Sequence, residues 1–253
     1  MMRFLLALAL FSGLLVCGPA SAEKLVSTLS DDAVEITSNF TGSNITVFGA
    51  VEGAKSASGE RDYEVAIVVA GPQMPLVVRR KGQVARIWIN TASREFYNVP
   101  SFYVIHMSEN LNDAASQQLL ARYKLDFADL GFSRDASYTP QDEAFAKALV
   151  ELKKQKELFV KRGDAVTFLA PNVFRTTFHL PSAIPVGTYH VSVFLFRNEE
   201  LVAAEVQSLL VEKSGFSDRI ARFSTEQPLL YGLFAVMVAV FTGWMAGIIF
   251  RRN

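Results

Sequence analysis

The chain has 253 residues, half of them apolar, with 25 basic residues against 25 acidic ones. A balanced charge supplies no field for holding nucleic acid or a strongly acidic partner, and the length allows one or two domains. The single cysteine, Cys17, falls in the N-terminal apolar stretch, so residues 23–253 offer no thiol for a disulfide, a nucleophile or a cysteine-based zinc site.

At the N-terminus, Arg3 precedes an apolar run from Phe4 to Val16 and the small-residue site Ala20-Ser21-Ala22. This is the layout of a secretory signal, residues 1–22, cleaved before Glu23. The run Leu14-Leu15-Val16-Cys17 resembles a lipobox, but Val16 stands where a small residue is required and a better cleavage site follows.

From Lys24 to Met107, short runs rich in Val, Ile, Thr and aromatics predict strands at Leu25–Leu29, Val34–Phe40, Asn44–Val51, Tyr63–Ala70, Leu76–Arg80, Ala85–Asn90 and Phe102–Met107. Lys81-Gly82 is expected to turn a hairpin between the fifth and sixth, and Gly53 and Gly71-Pro72 punctuate the others. Short strands at this spacing predict a mainly β fold, an immunoglobulin-like β-sandwich.

Composition then changes. Asn112–Tyr123 and Gln141–Phe159 read as helices; in the second, Thr139 supplies a cap and Phe145, Leu149, Leu152 and Phe159 fall on one face. Strands return at Ala165–Leu169, Val173–Leu180, Tyr189–Phe196 and Leu201–Val211. Four strands make a poor sandwich by themselves. Residues 23–110 and 161–212 are therefore read as one β-rich ectodomain with a helical insertion at 111–160, two small β domains being the alternative. Within Pro185–Tyr189, Tyr189 is placed to hydrogen-bond back across a turn, with Tyr189, Val191, Val193 and Leu195 facing the core.

Residues 213–228 form a juxtamembrane segment in which Phe216, Ile220 and Phe223 share a helical face opposite Asp218, Arg219 and Arg222, either lying on the outer leaflet or linking in solvent. Leu229–Phe250 carries no charge, follows Pro228 and stops at Arg251-Arg252. At about 1.5 Å per residue it reaches roughly 33 Å, enough to cross the hydrocarbon core as a transmembrane helix. A cleaved signal followed by this stop places the ectodomain in the periplasm, or outside the cell where there is no second membrane, and residues 251–253 in the cytoplasm. The orientation rests on the signal, because Lys213, Arg219 and Arg222 on the outer flank offset the positive-inside tally of Arg251 and Arg252.

Catalytic spacing is missing: the sequence has no Gly-x-Ser-x-Gly elbow, no His-Glu-x-x-His, no phosphate loop and no Gly-x-Gly-x-x-Gly. Neither enzymatic activity nor a cofactor is expected. Of the three histidines, His106, His179 and His190, the last two point away from the sandwich core by alternation. They would face each other and hold a metal only if their strands formed a direct hairpin. An immunoglobulin-like arrangement separates those strands, and no metal site is predicted. The densest basic spot is Arg79, Arg80 and Lys81, with Arg86 beyond the turn: a site for an anionic ligand, a phospholipid head group or an acidic partner surface, or simply a solvated hairpin tip. Trp88 and Phe96 are explained most simply by core packing. Asn39-Phe-Thr41 and Asn44-Ile-Thr46 match the glycosylation triplet, which carries no meaning in a bacterial protein. In the apolar helix, Ala235, Ala239, Gly243 and Gly247 recur every four residues, a stripe that lets a second helix approach closely. The expected partners are the lipid bilayer and an integral membrane protein, or a second copy, on this stripe; the alternative is an ordinary lipid-facing anchor.

The signal-like N-terminus, Val77–Lys81 (VVRRK) followed by Ile87–Asn90 (IWIN), Val99–Tyr103 (VPSFY), Pro185–Tyr189 (PVGTY) and Glu226–Gly232 (EQPLLYG) together resemble the alphaproteobacterial putative transmembrane protein family over nearly the whole mature chain. No activity is established for that family, so it supplies no functional residues. The resemblance implies a Gram-negative inner-membrane protein with a periplasmic domain and, through neighbouring genes for sulfite-exporter-like permeases, an accessory subunit. The expected function is a non-enzymatic membrane-anchored interaction subunit. The rivals are a periplasmic small-anion sensor resting on Arg79, Arg80 and Lys81, and an enzyme assembled from scattered Asp, Glu and His.

Overall fold

The computed structural model describes residues 23–53, 63–132, 140–214, 220 and 223–250. The expected signal at 1–22, the tail at 251–253, Thr139, Phe216, Asp218, Arg219 and Arg222 lie outside them.

Alternation of side chains writes the core into the strands. In Val173–Pro181, Phe174, Thr176, Phe178 and Leu180 are buried while Arg175, Thr177 and His179 are exposed, the period of two that turns one face of a sheet inward. In chain order the strands are β1 (Lys24–Leu29), β2 (Ala33–Ile36), β3 (Gly42–Glu52), β4 (Glu64–Ala70), β5 (Gln73–Val84), β6 (Ile87–Pro100) and β7 (Tyr103–Met107). Helices α1 (Glu109–Ala114) and α2 (Gln117–Arg122), a 3₁₀ turn at Phe127–Leu130 and α3 (Pro140–Gln155) follow. Then come β8 (Phe159–Arg162), β9 (Thr167–Ala170), β10 (Val173–Pro181), β11 (Gly187–Arg197), β12 (Glu200–Lys213) and α4 (Pro228–Phe250).

The strands make a four-stranded sheet in the order β1-β3-β10-β9, a six-stranded sheet in the order β2-β12-β11-β4-β7-β8, and a separate two-stranded ribbon, β5-β6. The residues before and after the helices share both sheets, since β10 pairs with β3 and β11 pairs with β4. The sheets enclose one core and are tied across it by polar bonds: Ser27 Oγ on β1 donates to Glu205 Oε2 on β12 at 2.8 Å, and His106 on β7 meets Thr176 on β10 at 2.7 Å. Tyr189, Val191, Val193 and Leu195 are all fully buried, as the alternation predicts, and the Tyr189 hydroxyl donates to the Pro185 carbonyl at 2.7 Å. Facing sheets and this tyrosine corner are features of immunoglobulin-like sandwiches. The parallel pairing of β8 with β7 and the long ribbon fall outside that pattern.

Close packing explains Gly49: a β-carbon there would sit 2.2 Å from the Phe174 ring, so the ring fills the space that a side chain would need. Strands β4 and β7 are buried on both faces, with Val65–Val69 and Tyr103–Met107 inaccessible to solvent. Such doubly covered strands read as continuous apolar runs. Aromatic contacts from the helical region finish the core, with Phe127 stacked on Phe159 at 5.4 Å and Phe96 edge-on to Phe132 at 6.1 Å.

Four expected elements are corrected. The helix expected at Asn112–Tyr123 breaks at Ala115-Ser116, where the Ser116 hydroxyl accepts from the Leu119 amide and starts α2 afresh. The second helix stops at Gln155; Glu157 takes a left-handed conformation (φ 56°), and Phe159 begins a strand. Leu152 is exposed and Lys153 takes the inward position, donating to the Ser101 carbonyl at 3.0 Å. The strand expected to reach Phe40 ends at Ile36, because a turn joins the Phe40 amide to the Thr37 carbonyl. The hairpin turns at Ala85-Arg86 and not at Lys81-Gly82, with both central residues at positive φ (48° and 67°), as a two-residue loop matched to strand twist demands. Gly82 instead pairs with Ile89 within the ribbon, next to a register shift between Arg80 and Lys81.

Candidate functional site

The β5-β6 ribbon has a packed half and a free half. Near its base, Val78 and Phe96 enter the core, Arg94 pairs with Asp142 of α3, and the Arg80 guanidinium lies over the Phe145 ring at 5.8 Å. The predicted basic trio is therefore divided. Arg80 is engaged on α3, while strand alternation directs Arg79 and Lys81 to the opposite face of the ribbon. Of the two aromatics expected in the core, Phe96 is there and Trp88 is not: its side chain is 66% exposed. The reason is the displaced turn, which carries Ile87-Trp88-Ile89 out along the free half. There Val84, Ile87, Trp88 and Ile89 are all exposed, and among the described residues no third strand pairs with the ribbon. Between Gln73 and Arg94 lie Arg79, Arg80, Lys81, Arg86 and Arg94 and no acidic residue. The tip thus joins an apolar surface to a positive one, with Arg86 at the apex.

A second feature escaped sequence reading altogether. Beneath α3, where the sandwich ends, a cleft of about 1320 Å³ opens between β8, the edge of one sheet, and β10 of the other. Buried Val104, Phe127, Phe132, Phe159 and Phe178 form its apolar floor, and Val160 of β8 and Val150 of α3 line it as partly buried side chains. Charge around it is balanced within the protein, Lys161 pairing with Asp126 at 2.7 Å and Lys147 with Glu143 at 2.8 Å. Burial pushes the Asp126 carboxyl up, but the bond from Lys161, the Ala128 amide and the nearby lysine charges outweigh it and hold the group below its ordinary value.

His106 forms part of the cleft wall and is only 3% exposed. Its Nδ1 meets Thr176 Oγ1 at 2.7 Å, and Thr176 Oγ1 donates to the Ala165 carbonyl at 2.8 Å. Since the hydroxyl proton is committed to Ala165, Nδ1 carries the hydrogen and Nε2 is the free nitrogen of a neutral ring. Burial, reinforced by the Arg162 charge and only partly opposed by Asp164, pushes its pKa down to about 4. The signal available in the sequence was a histidine inside the unbroken apolar run Phe102–Met107, a strand with no solvent face. The other two histidines lie apart: His179 on β10 bonds Asn44 Oδ1 at 2.8 Å, and exposed His190 sits on β11 of the other sheet. Among the described residues no group of three His, Cys, Asp or Glu side chains is placed to hold a metal.

Helix α4 stands apart from the sandwich. Its span from Pro228 to Ile248 has a mean hydropathy of 2.0 and buries none of its length against the rest of the chain. Ala235, Ala239, Gly243 and Gly247 recur along it, and a β-carbon at Gly243 or Gly247 would meet nothing within 4 Å. Its one hydroxyl in the middle of the span, Thr242, donates back to the Val238 carbonyl at 2.7 Å, which satisfies it without water. The turn at Phe223–Glu226 runs into α4 through bonds from Gln227 to Phe223 and from Tyr231 to Gln227.

These parts define a mainly β membrane protein with, among the described residues, one helix long and apolar enough to cross a bilayer. The chain belongs to the alphaproteobacterial family described as "Putative transmembrane protein", whose profile matches residues 24–252. No curated protein matches it.

Proposed function

We propose that this protein is a single-pass inner-membrane protein with a periplasmic β-rich domain and a cytoplasmic C-terminus, acting without catalysis as an interaction subunit of a membrane complex. The observation that carries this reading is the free half of the β5-β6 arm. A two-stranded ribbon alone is marginal in water, and the free half of this one exposes Val84, Ile87 and Trp88 on strands that have no third strand beside them among the described residues. A protein partner with an apolar depression and an acidic rim would cover the side chains and neutralise Arg86, Lys81 and Arg79. The bilayer fits less well, because Arg86 at the apex would lead the tip into hydrocarbon. The small-anion reading loses ground for a separate reason: Arg80 is turned to Phe145, away from Arg79 and Lys81.

The test is a photo-crosslinking amino acid at Trp88 in the full chain, activated in native membranes, with the adduct mapped by mass spectrometry. The expected result is one membrane protein, crosslinked beside a cluster of Asp or Glu, and loss of the adduct in Arg86→Glu with the melting temperature unchanged. Adducts to lipid alone, adducts scattered over unrelated proteins, or insensitivity to Arg86→Glu would overturn the reading. Within the membrane, the Ala235–Gly247 stripe supplies a second contact in the same complex, or with a second copy.

A further inference from the structure

We propose that the cleft beneath α3 accepts an extended polypeptide segment, which adds as a strand to the free edge of β10 and packs alternate apolar side chains against Val150 and Val160. The inference rests on the β10 edge and not on the free half of the arm, although α3 and Phe132 touch both the base of the arm and the cleft.

Strand β10 pairs with β3 along its whole length, from Val173↔Ala50 to Pro181↔Gly42, but β9 covers only Val173–Arg175 on the other side. From Thr176 to Pro181 that outer edge has no strand partner among the described residues. At about 3.3 Å per residue it offers roughly 20 Å of backbone donors and acceptors. Edge strands are normally blunted by charge, bulges or proline. Here the exposed face beyond Arg175 carries Thr177 and His179 and neither lysine nor carboxylate, and Pro181 comes only at the end. Strand β8, the edge of the opposite sheet, lines the same space through Val160, Lys161 and Arg162. Two strand edges around one cleft, neither with a further strand beside it among the described residues, present the groups that a peptide backbone satisfies, and pairing along such an edge is a general mode of peptide capture.

Size and charge select against the other occupants. The cleft exceeds the roughly 300–1000 Å³ usual for a small molecule. Its charged side chains are of both signs and partly paired, as at Lys161–Asp126 and Lys147–Glu143, so no strong field of one sign is left to hold a small anion or cation. A neutral backbone with alternating apolar side chains matches both the edge and the partly buried Val150 and Val160 of the cleft wall.

The experiment uses the full chain in nanodiscs, carrying Cys17→Ser so that an introduced thiol is the only one. The probe is a seven-residue peptide alternating valine and threonine with an activated terminal cysteine. The expected result is a disulfide adduct with His179→Cys, on the free edge, and none with Arg175→Cys, whose backbone is already paired with Thr167 of β9. Both positions are exposed, so reactivity alone does not separate them. Amide exchange at Thr177–Leu180 should slow when the peptide is added to the unsubstituted chain, and a peptide with proline at alternate positions should bind at least about tenfold more weakly, having lost its donors. Equal labelling at both positions, unchanged exchange, or complete displacement of the peptide by oleate would overturn the proposal, the last making the cleft a site for a small amphiphile. Val150→Trp fills the cleft from α3 and should abolish the adduct; should that variant fail to fold, the exchange measurement on the unsubstituted chain still decides.

Discussion

Lowering the pH should loosen the sandwich at a single identifiable point. His106 is neutral and buried, with its ordinary value of 6.5 pushed down to about 4 by burial first and by Arg162 second. In the unfolded chain the same ring takes up a proton near its ordinary value. Between those two values the unfolded state therefore holds more protons than the folded one, and stability falls as pH drops through that window. The contribution is complete above the unfolded value and exhausted below the folded one. The full depression corresponds to about 3 kcal/mol, and the part lost between pH 7 and pH 5 to about 2 kcal/mol. Urea unfolding of the full chain in detergent, followed at pH 7 and pH 5, measures the loss; His106→Asn supplies the control, because its amide N–H reaches toward Thr176 Oγ1 and does not titrate. The carboxylates titrate alike in both chains, so the difference between them isolates the histidine. If the wild type and His106→Asn lose the same stability between the two pH values, the buried neutral imidazole bridging the sheets is not what the acid attacks, and the reasoning fails.

Tyr189→Phe removes the bond to the Pro185 carbonyl while keeping the buried ring, and should lower stability by about 1 kcal/mol in the same unfolding assay. Gly49→Ala places a methyl group 2.2 Å from the Phe174 ring, so its cost should be about 1–3 kcal/mol, relieved by Phe174→Leu in a double-mutant cycle. Gly243→Leu/Gly247→Leu should leave the melting temperature of the sandwich unchanged, since nothing in the chain lies within 4 Å of either site, but should abolish helix–helix energy transfer in liposomes if the stripe is a contact surface.

Much of the fold was legible because its strands bury one face. The alternation in Tyr189–Leu195 named the core side correctly, and Leu229–Phe250 was readable from length and charge alone, matching α4 to within one residue at its start. What the sequence concealed arose where distant segments meet. Glycine at position 82 looked like a turn, yet cross-strand pairing from Gln73↔Pro100 to Val84↔Ile87 outweighs that local preference and moves the turn to Ala85-Arg86. That shift exposed Trp88, which composition had assigned to the core. The break at Ser116 is a capping choice, and the inward Lys153 reflects a carbonyl supplied by Ser101, far away in sequence. The cleft was invisible for the same reason: it exists because β9 is too short to cover β10, a relation between strands that no motif records.

The two surfaces proposed for binding have a common physical origin. Elsewhere the sheets are covered more fully: short β2 pairs with the end of β12, and the β4 and β7 faces are buried on both sides. Strand edges without a strand partner among the described residues are left at the ribbon tip and at the β10 edge, and at the tip exposed Val84, Ile87 and Trp88 accompany them. Two such places are unlike the scattered single exposures that every soluble surface tolerates. Their chemistry also differs. The tip is positive and convex, suited to a depression with an acidic rim, whereas the edge is charge-balanced and concave, suited to an extended chain. One partner could engage both only by presenting a folded surface and a free strand at once. Arg86→Glu should therefore leave the His179→Cys adduct with the valine–threonine peptide intact, and Val150→Trp should leave the crosslink at Trp88 intact; loss of both from either single change would mean that the arm and the edge form one site.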